Sequence, residues 1–159
     1  MDDWKTAIGK GMLPGALASV ASAAVLALRG KQEAGHVFAG HNAISHWLWG
    51  DKAFRKDAPT WKYTLVGYGI HHASSLMWAS LFEQAAGKVL DRKSPGATLA
   101  ASAAATAVAC FVDYQMTPKR LRPGFEERVS RSSLALVYTA FGLGLAAGAL
   151  LNHRDKDQA

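Results

Sequence analysis

Five of the six histidines in this 159-residue chain fall between residues 36 and 72: His36, His41, His46, His71 and His72. A neutral imidazole can ligate haem iron or a transition metal, relay a proton, or simply hydrogen-bond a neighbouring helix. His71 and His72 are adjacent in GYGIHHASSLMW. On a helix they point about 100° apart and so address two surfaces. His71 shares its face with Gly67, Ser74, Ser75 and Trp78, while His72 lies with Tyr68, Ser75 and Ala79, and farther down with Glu83. The pair are candidate cofactor ligands, for haem or a transition metal, with packing against another helix as the plainer role.

His36, His41 and His46 recur every five residues. Five residues advance a helix by about 140° net, so one straight helix splays the three around its axis. As a metal site they need a chain break, for which Gly35 and Gly40 are the candidates; only Asn42 and His46 share a face. Glu83, Asp113 and Arg154 are charges at the edges of apolar runs, and Glu83 and Asp113 are candidates for a polar or ionic network. The expected partners of Asp113 are Lys119, Arg120 or Arg122, and His153 reads as isolated. Ser74 and Ser75 beside the histidines lack an orienting acid, and no Gly-rich phosphate loop, GxSxG elbow or Cys/His zinc spacing is present. No catalytic residue is assigned, and the expectation leans away from an enzyme.

The elements that must hold these residues are legible in the charge distribution. Four windows carry no charged residue: Gly11 to Leu28, Tyr63 to Phe82, Ser94 to Val112 and Ser132 to His153, of 18, 20, 19 and 22 residues. As helices they reach about 27 to 33 Å, the thickness of a hydrocarbon core. A soluble bundle would carry charges on the outer face of each helix, and no such face exists within any window. The expected fold is therefore all-α. It is a four-helix transmembrane bundle forming one integral membrane domain over residues 1–159, with a short interfacial or re-entrant helix at about 36–50 between spans one and two. The triplet Ala21-Ser22-Ala23 imitates a signal cleavage site, but the apolar run continues through Val25, Leu26 and Leu28, so a retained span is expected.

Composition agrees with this. Half the residues are hydrophobic and 19% are charged, below the ~25% of a soluble domain, which excludes a disordered chain. The mean hydropathy of +0.01 averages unlike segments. The lone Cys110 excludes an intrachain disulfide framework. Small residues repeat every fourth position at Gly11 and Gly15, at Ala97, Ala101, Ala105 and Ala109, and at Ala140, Gly144 and Gly148, which predicts close helix packing within the bundle.

Two long connections, Arg29 to Lys62 and Asp113 to Arg131, hold 11 Lys and Arg against 7 elsewhere. The positive-inside rule puts both in the cytoplasm and both termini on the opposite side. Trp47, Trp49 and Trp61 suit the headgroup level, and Thr60 is the predicted N-cap of the second span. With a net charge of +6, the basic loops suit anionic lipid headgroups, and a membrane-protein partner or a second copy suits the small-residue faces. The basic residues form no contiguous stripe with aromatics, which argues against nucleic acid.

Two resemblances accompany this reading. The H-x4-H spacing followed by an HH pair resembles the histidine boxes of membrane fatty-acid desaturases and hydroxylases, but Tyr68 stands where a box histidine belongs and no box follows residue 72. SHWLWGD (Ser45 to Asp51), GYGIHHASSLMWA (Gly67 to Ala79) and VDYQMTPKRLRPGFE (Val112 to Glu126) resemble an uncharacterised family of small four-helix proteobacterial inner-membrane proteins. That resemblance implies a multi-pass bacterial inner-membrane location and no particular activity. The resulting expectation is a structural or accessory, partner-binding membrane protein. The alternatives are a haem or metal protein using His71 and His72, or a small transporter or proton-relay subunit.

Overall fold

The structure is a computed structural model that describes residues 3–154, the Arg154 side chain excepted. Six α-helices follow in order: α1 (Trp4–Ala34), α2 (Ala39–Ile44), α3 (His46–Trp49), α4 (Val66–Leu90), α5 (Pro95–Phe111) and α6 (Arg131–Arg154), and no strand occurs among the described residues. Local chemistry sets the ends. Asp3 accepts from the Thr6 amide at 2.7 Å, and Gly35 closes α1 in the left-handed region at φ 78. Thr60, the predicted cap, accepts from Tyr63 N and opens a π-helical turn, Trp61–Leu65, that runs into α4. Ser94 caps α5, with Pro95 at its first position, where a missing amide hydrogen costs nothing.

Three of these helices are long and apolar enough to cross a membrane among the described residues: Trp4–Ala34, Pro95–Met116 and Arg131–His153. The second charge-free window is the exception. Its helix α4 has 25 residues, but His71, His72, Glu83 and Gln84 dilute its apolar character. The helix expected over 36–50 is also different. It breaks at Ser45 into α2 and α3, followed by a 3-10 turn at Gly50–Arg55, and all six residues of α2 are buried. Its first part, α2, packs into the end of the bundle, while Leu48 and Trp49 of α3 are exposed.

The four long helices run antiparallel. Arg29 Nε donates to Ser133 Oγ at 2.6 Å and Trp47 Nε1 to the Arg122 carbonyl at 2.7 Å, which gathers both long connections at one end. At the other end Asn152 reaches Lys10, so the start of α1 and the end of α6 share a side. Helix α1 is central, packed along α4 on one flank and α6 on the other; α5 lies mainly against α6 and only lightly against α4.

Small residues make that central position feasible. A Cβ on Gly11 or Gly15 would overlap Ser80 or Leu76 of α4, and one on Gly144 or Gly148 would overlap the α1 backbone at Ala18 or Pro14. The small-residue rows of α1 and α6 thus serve packing within the chain. Pro14, inside α1, has no amide hydrogen and leaves the Lys10 carbonyl without its i+4 donor. Asn152 Nδ2 donates to that carbonyl at 2.8 Å.

Beside the apolar core, small polar side chains are buried while large apolar ones lie on the outer faces. Thr98, Ser102 and Thr106 form the buried face of α5, whereas Leu99, Val108 and Phe111 on the same helix are exposed. In α6, Ser133 is fully buried and Leu143 is 56% exposed. Such outer faces match lipid and would be a liability in water.

Two outcomes are expected in detergent unfolding. Gly148→Val should cost about 3 kcal/mol through overpacking against Pro14, while Gly87→Ala, which meets nothing, should be neutral or slightly stabilising. Asn152→Leu should cost about 1 kcal/mol in the Pro14 chain and much less in a Pro14→Ala background, where the helix supplies its own donor; equal costs in both backgrounds would refute the pairing.

Candidate functional site

Because α5 leans on α6, the seam between α4 and α5 stays open, and a cavity of about 260 Å³ lies there. Ile70, Trp78, Ala109, Val137 and Phe141 give it mainly apolar walls, and Trp47, Leu121, Pro123 and Phe125 roof it from the long connections. Two polar groupings interrupt these walls. His71 and Ser22 stand on the α1–α4 side, and Asp113 and Tyr138 on the α5–α6 side.

The first grouping has a readable proton arrangement. Ser22 Oγ lies 2.7 Å from the Ala18 carbonyl, which can only accept, so its proton points there. Its lone pair then accepts from His71 Nε2–H at 2.9 Å. In that neutral tautomer Nδ1 of His71 is the unprotonated nitrogen. The second grouping differs from the sequence expectation. Asp113 Oδ2 accepts from Tyr138 Oη at 2.6 Å, while Arg120 donates to the His46 carbonyl and Arg122 to the carbonyls of Tyr114 and Thr117. The antiparallel return of α6 beside α5 brings in Tyr138 from 25 residues away, while the arginines satisfy loop carbonyls.

The remaining histidines do not meet. The ring of His72 stacks on Tyr68 with centroids 5.8 Å apart, and the His41 ring lies 6.4 Å from the same tyrosine. Nδ1 of both His41 and His72 is buried without a hydrogen-bond partner. Burial pushes the His41 imidazole below its ordinary pKa. His46 Nδ1 donates to the Ala43 carbonyl at 3.0 Å, and its ring packs on Phe54 at 4.9 Å. His36 is exposed, 3.9 Å from Asp57 Oδ2. Among the described residues no three His, Cys, Asp or Glu side chains are grouped to hold a metal ion.

A further polar cluster lies at the opposite end of the bundle, and the sequence reading did not assemble it. His153 sits between two carboxylates, with Nε2 3.1 Å from Glu83 Oε2 and Nδ1 3.0 Å from Asp91 Oδ1. A signal for it existed: Glu83 bounds one charge-free window and His153 closes another, and antiparallel spans bring those two ends together.

The roof carries one strained polar group. Glu126, in the turn Phe125–Glu127, buries Oε2 without a partner. Burial pushes its carboxyl above the ordinary range. No protein-family model matches the chain, and no curated protein or solved structure does so significantly.

A raised folded pKa means the native state prefers the neutral acid. The associated stability is present below the ordinary carboxyl pKa and is lost as pH rises through the raised value. Glu126→Gln should therefore raise the melting temperature by a few degrees near neutral pH, an advantage that fades toward about pH 4. A pH-independent gain would remove the desolvation account.

Proposed function

We propose that this chain is a four-span protein of the bacterial inner membrane that holds an amphipathic bilayer molecule in the cavity between α4 and α5 and acts as an accessory to partner proteins or lipids. The cavity is the observation that carries the reading. It combines a mainly apolar interior with a few convergent polar groups, the ordinary composition of a small-molecule site. A fatty chain suits the apolar walls, and a hydrogen-bonding head suits Asp113, Tyr138 and the His71 side.

The fourth span is α4 itself. At about 38 Å it is long enough, its polar Ser75 and Glu83 are buried toward the bundle, and Leu65, Met77 and Leu81 are exposed. Intramembrane polar groups directed into a bundle are the arrangement a bilayer tolerates. The end formed by the long connections suits a cytoplasmic headgroup layer. Trp61 is 83% exposed there, and Lys62 lies over the Trp49 ring at 4.6 Å. Lys52, Arg55, Lys62 and Lys119 are exposed, and anionic lipid headgroups are the partners they suit. Haem or a metal on His71 and His72 draws less support, since Ser22 holds the one ring and Tyr68 stacks on the other.

The test uses the full chain in nanodiscs containing a phospholipid with a photoactivatable diazirine in its acyl chain. Adducts should concentrate on Ile70, Trp78 and Val112 and fall several-fold in Ser74→Trp, which fills the cavity. Labelling spread evenly over Val20, Leu99 and Leu143, and indifferent to Ser74→Trp, would sink the cavity reading. Single cysteines at Lys52 and Arg92, which flank α4, should react from opposite faces of the membrane in a Cys110→Ser background; reaction from one face would remove α4 as a span.

A further inference from the structure

The cluster at the terminal end of the bundle has the make-up of a proton site. Glu83 has a fully buried side chain, His153 is 4% exposed, and Asp91, the residue after α4, is 57% exposed to water. The imidazole thus bridges an exposed carboxylate and a buried one, each within hydrogen-bond distance of a different ring nitrogen. Oε1 of Glu83 is buried and has no hydrogen-bond partner.

We propose that Asp91, His153 and Glu83 form a proton-binding site that loads from water through Asp91 and holds one proton on the Glu83–His153 pair inside the bundle. The geometry argues this directly. A buried carboxylate with one undonated oxygen is costly unless it is neutralised or faces a cation. One proton, on the Glu83 carboxyl or as a second proton on the ring, meets that need. Loading balances without a co-reactant. A proton from water reaches Nδ1 by way of Asp91, the Nε2 proton passes to Glu83 Oε2, and the ring ends neutral with Nδ1–H donating to Asp91. Without that proton, a ring protonated at Nε2 turns the bare Nδ1 toward a carboxylate oxygen 3.0 Å away, two acceptors in contact.

Lys10 of α1 lies 4.0 Å from Asp91 and contributes positive potential at Glu83. From Pro95 to Ala109, α5 presents no titratable group, and α6 contributes His153. Asn152 ties α6 to the Lys10 carbonyl, which holds His153 in register with α4. This site lies at the opposite end from the cavity and stands independently of it.

Infrared difference spectroscopy on the full chain in nanodiscs, titrated with pH and transferred to D2O, tests the proposal. The wild type should show either a protonated-carboxyl band or an imidazolium signature that titrates with one proton, and Glu83→Gln and His153→Gln should each abolish it. Asp91→Asn should keep the signature and slow its deuterium shift by roughly tenfold or more. A purely structural ion pair predicts no dependence of exchange on Asp91. An Asp91→Asn exchange rate equal to wild type, or a wild-type titration that survives Glu83→Gln, overturns the proposal. Should Glu83→Gln fail to fold, Asp91→Asn alters only an exposed side chain and decides the matter alone.

Discussion

Close approach of α1 to α4 on one flank and α6 on the other is the contact on which the rest of the molecule depends. In lipid no hydrophobic force draws helices together, so dispersion contact between backbones has to do much of it. Gly11 and Gly15 give α4 access to α1, and Gly144 and Gly148 give α1 access to α6. With both flanks of α1 occupied, α5 is left to α6, which it meets through Ser102 on the Gly142 carbonyl and Thr106 beside Gly142. The opening between α4 and α5 follows from that asymmetry.

The same close packing explains how a proline is tolerated in the central helix. Pro14 faces Gly148, where a larger residue would collide with it, and the carbonyl it orphans is met from α6 by Asn152. The defect in one helix thereby becomes a polar link to another, next to the place where His153 meets Glu83. An orphaned helix carbonyl and a buried carboxylate would be independent liabilities in isolation. Here one register of α6 against α1 and α4 satisfies both.

Interior hydroxyls need little from their neighbours, because several bond within their own helix: Ser22 to Ala18, Ser75 to His71 and Ser80 to Leu76. Several imidazoles and carboxylates are met instead from across the bundle: His71 by Ser22 near the cavity, Asp113 by Tyr138 at its far wall, and Glu83 by His153 at the terminal end. The basic connections divide similarly. Arg120, Arg122 and Arg128 are spent on loop carbonyls and Asp57, so the lysines are left to face solvent or headgroups.

Much of the architecture was legible beforehand. The charge-free windows locate all four long helices, Thr60 caps where its side chain predicts, and the antiparallel helices bring the start of α1 and the end of α6 together. Hydropathy alone did not make α4 equivalent to the others, because the residues that give it interest also make it polar. The sequence could not say which way each helix turns about its axis. On α5 the alanine row does pack, with Ala109 buried and Ala101 and Ala105 against the core, but the neighbouring row of Thr98, Ser102 and Thr106 is the more deeply buried. A window without charge carries almost no amphipathic signal, so rotation is set by which neighbour the small residues admit. Ser22 and His71 are 49 residues apart, and Glu83 and His153 are 70 apart. Composition and spacing determined that these groups lie on long apolar helices; only the packing of those helices decided which of them meet, because each needs a partner that its own helix cannot supply.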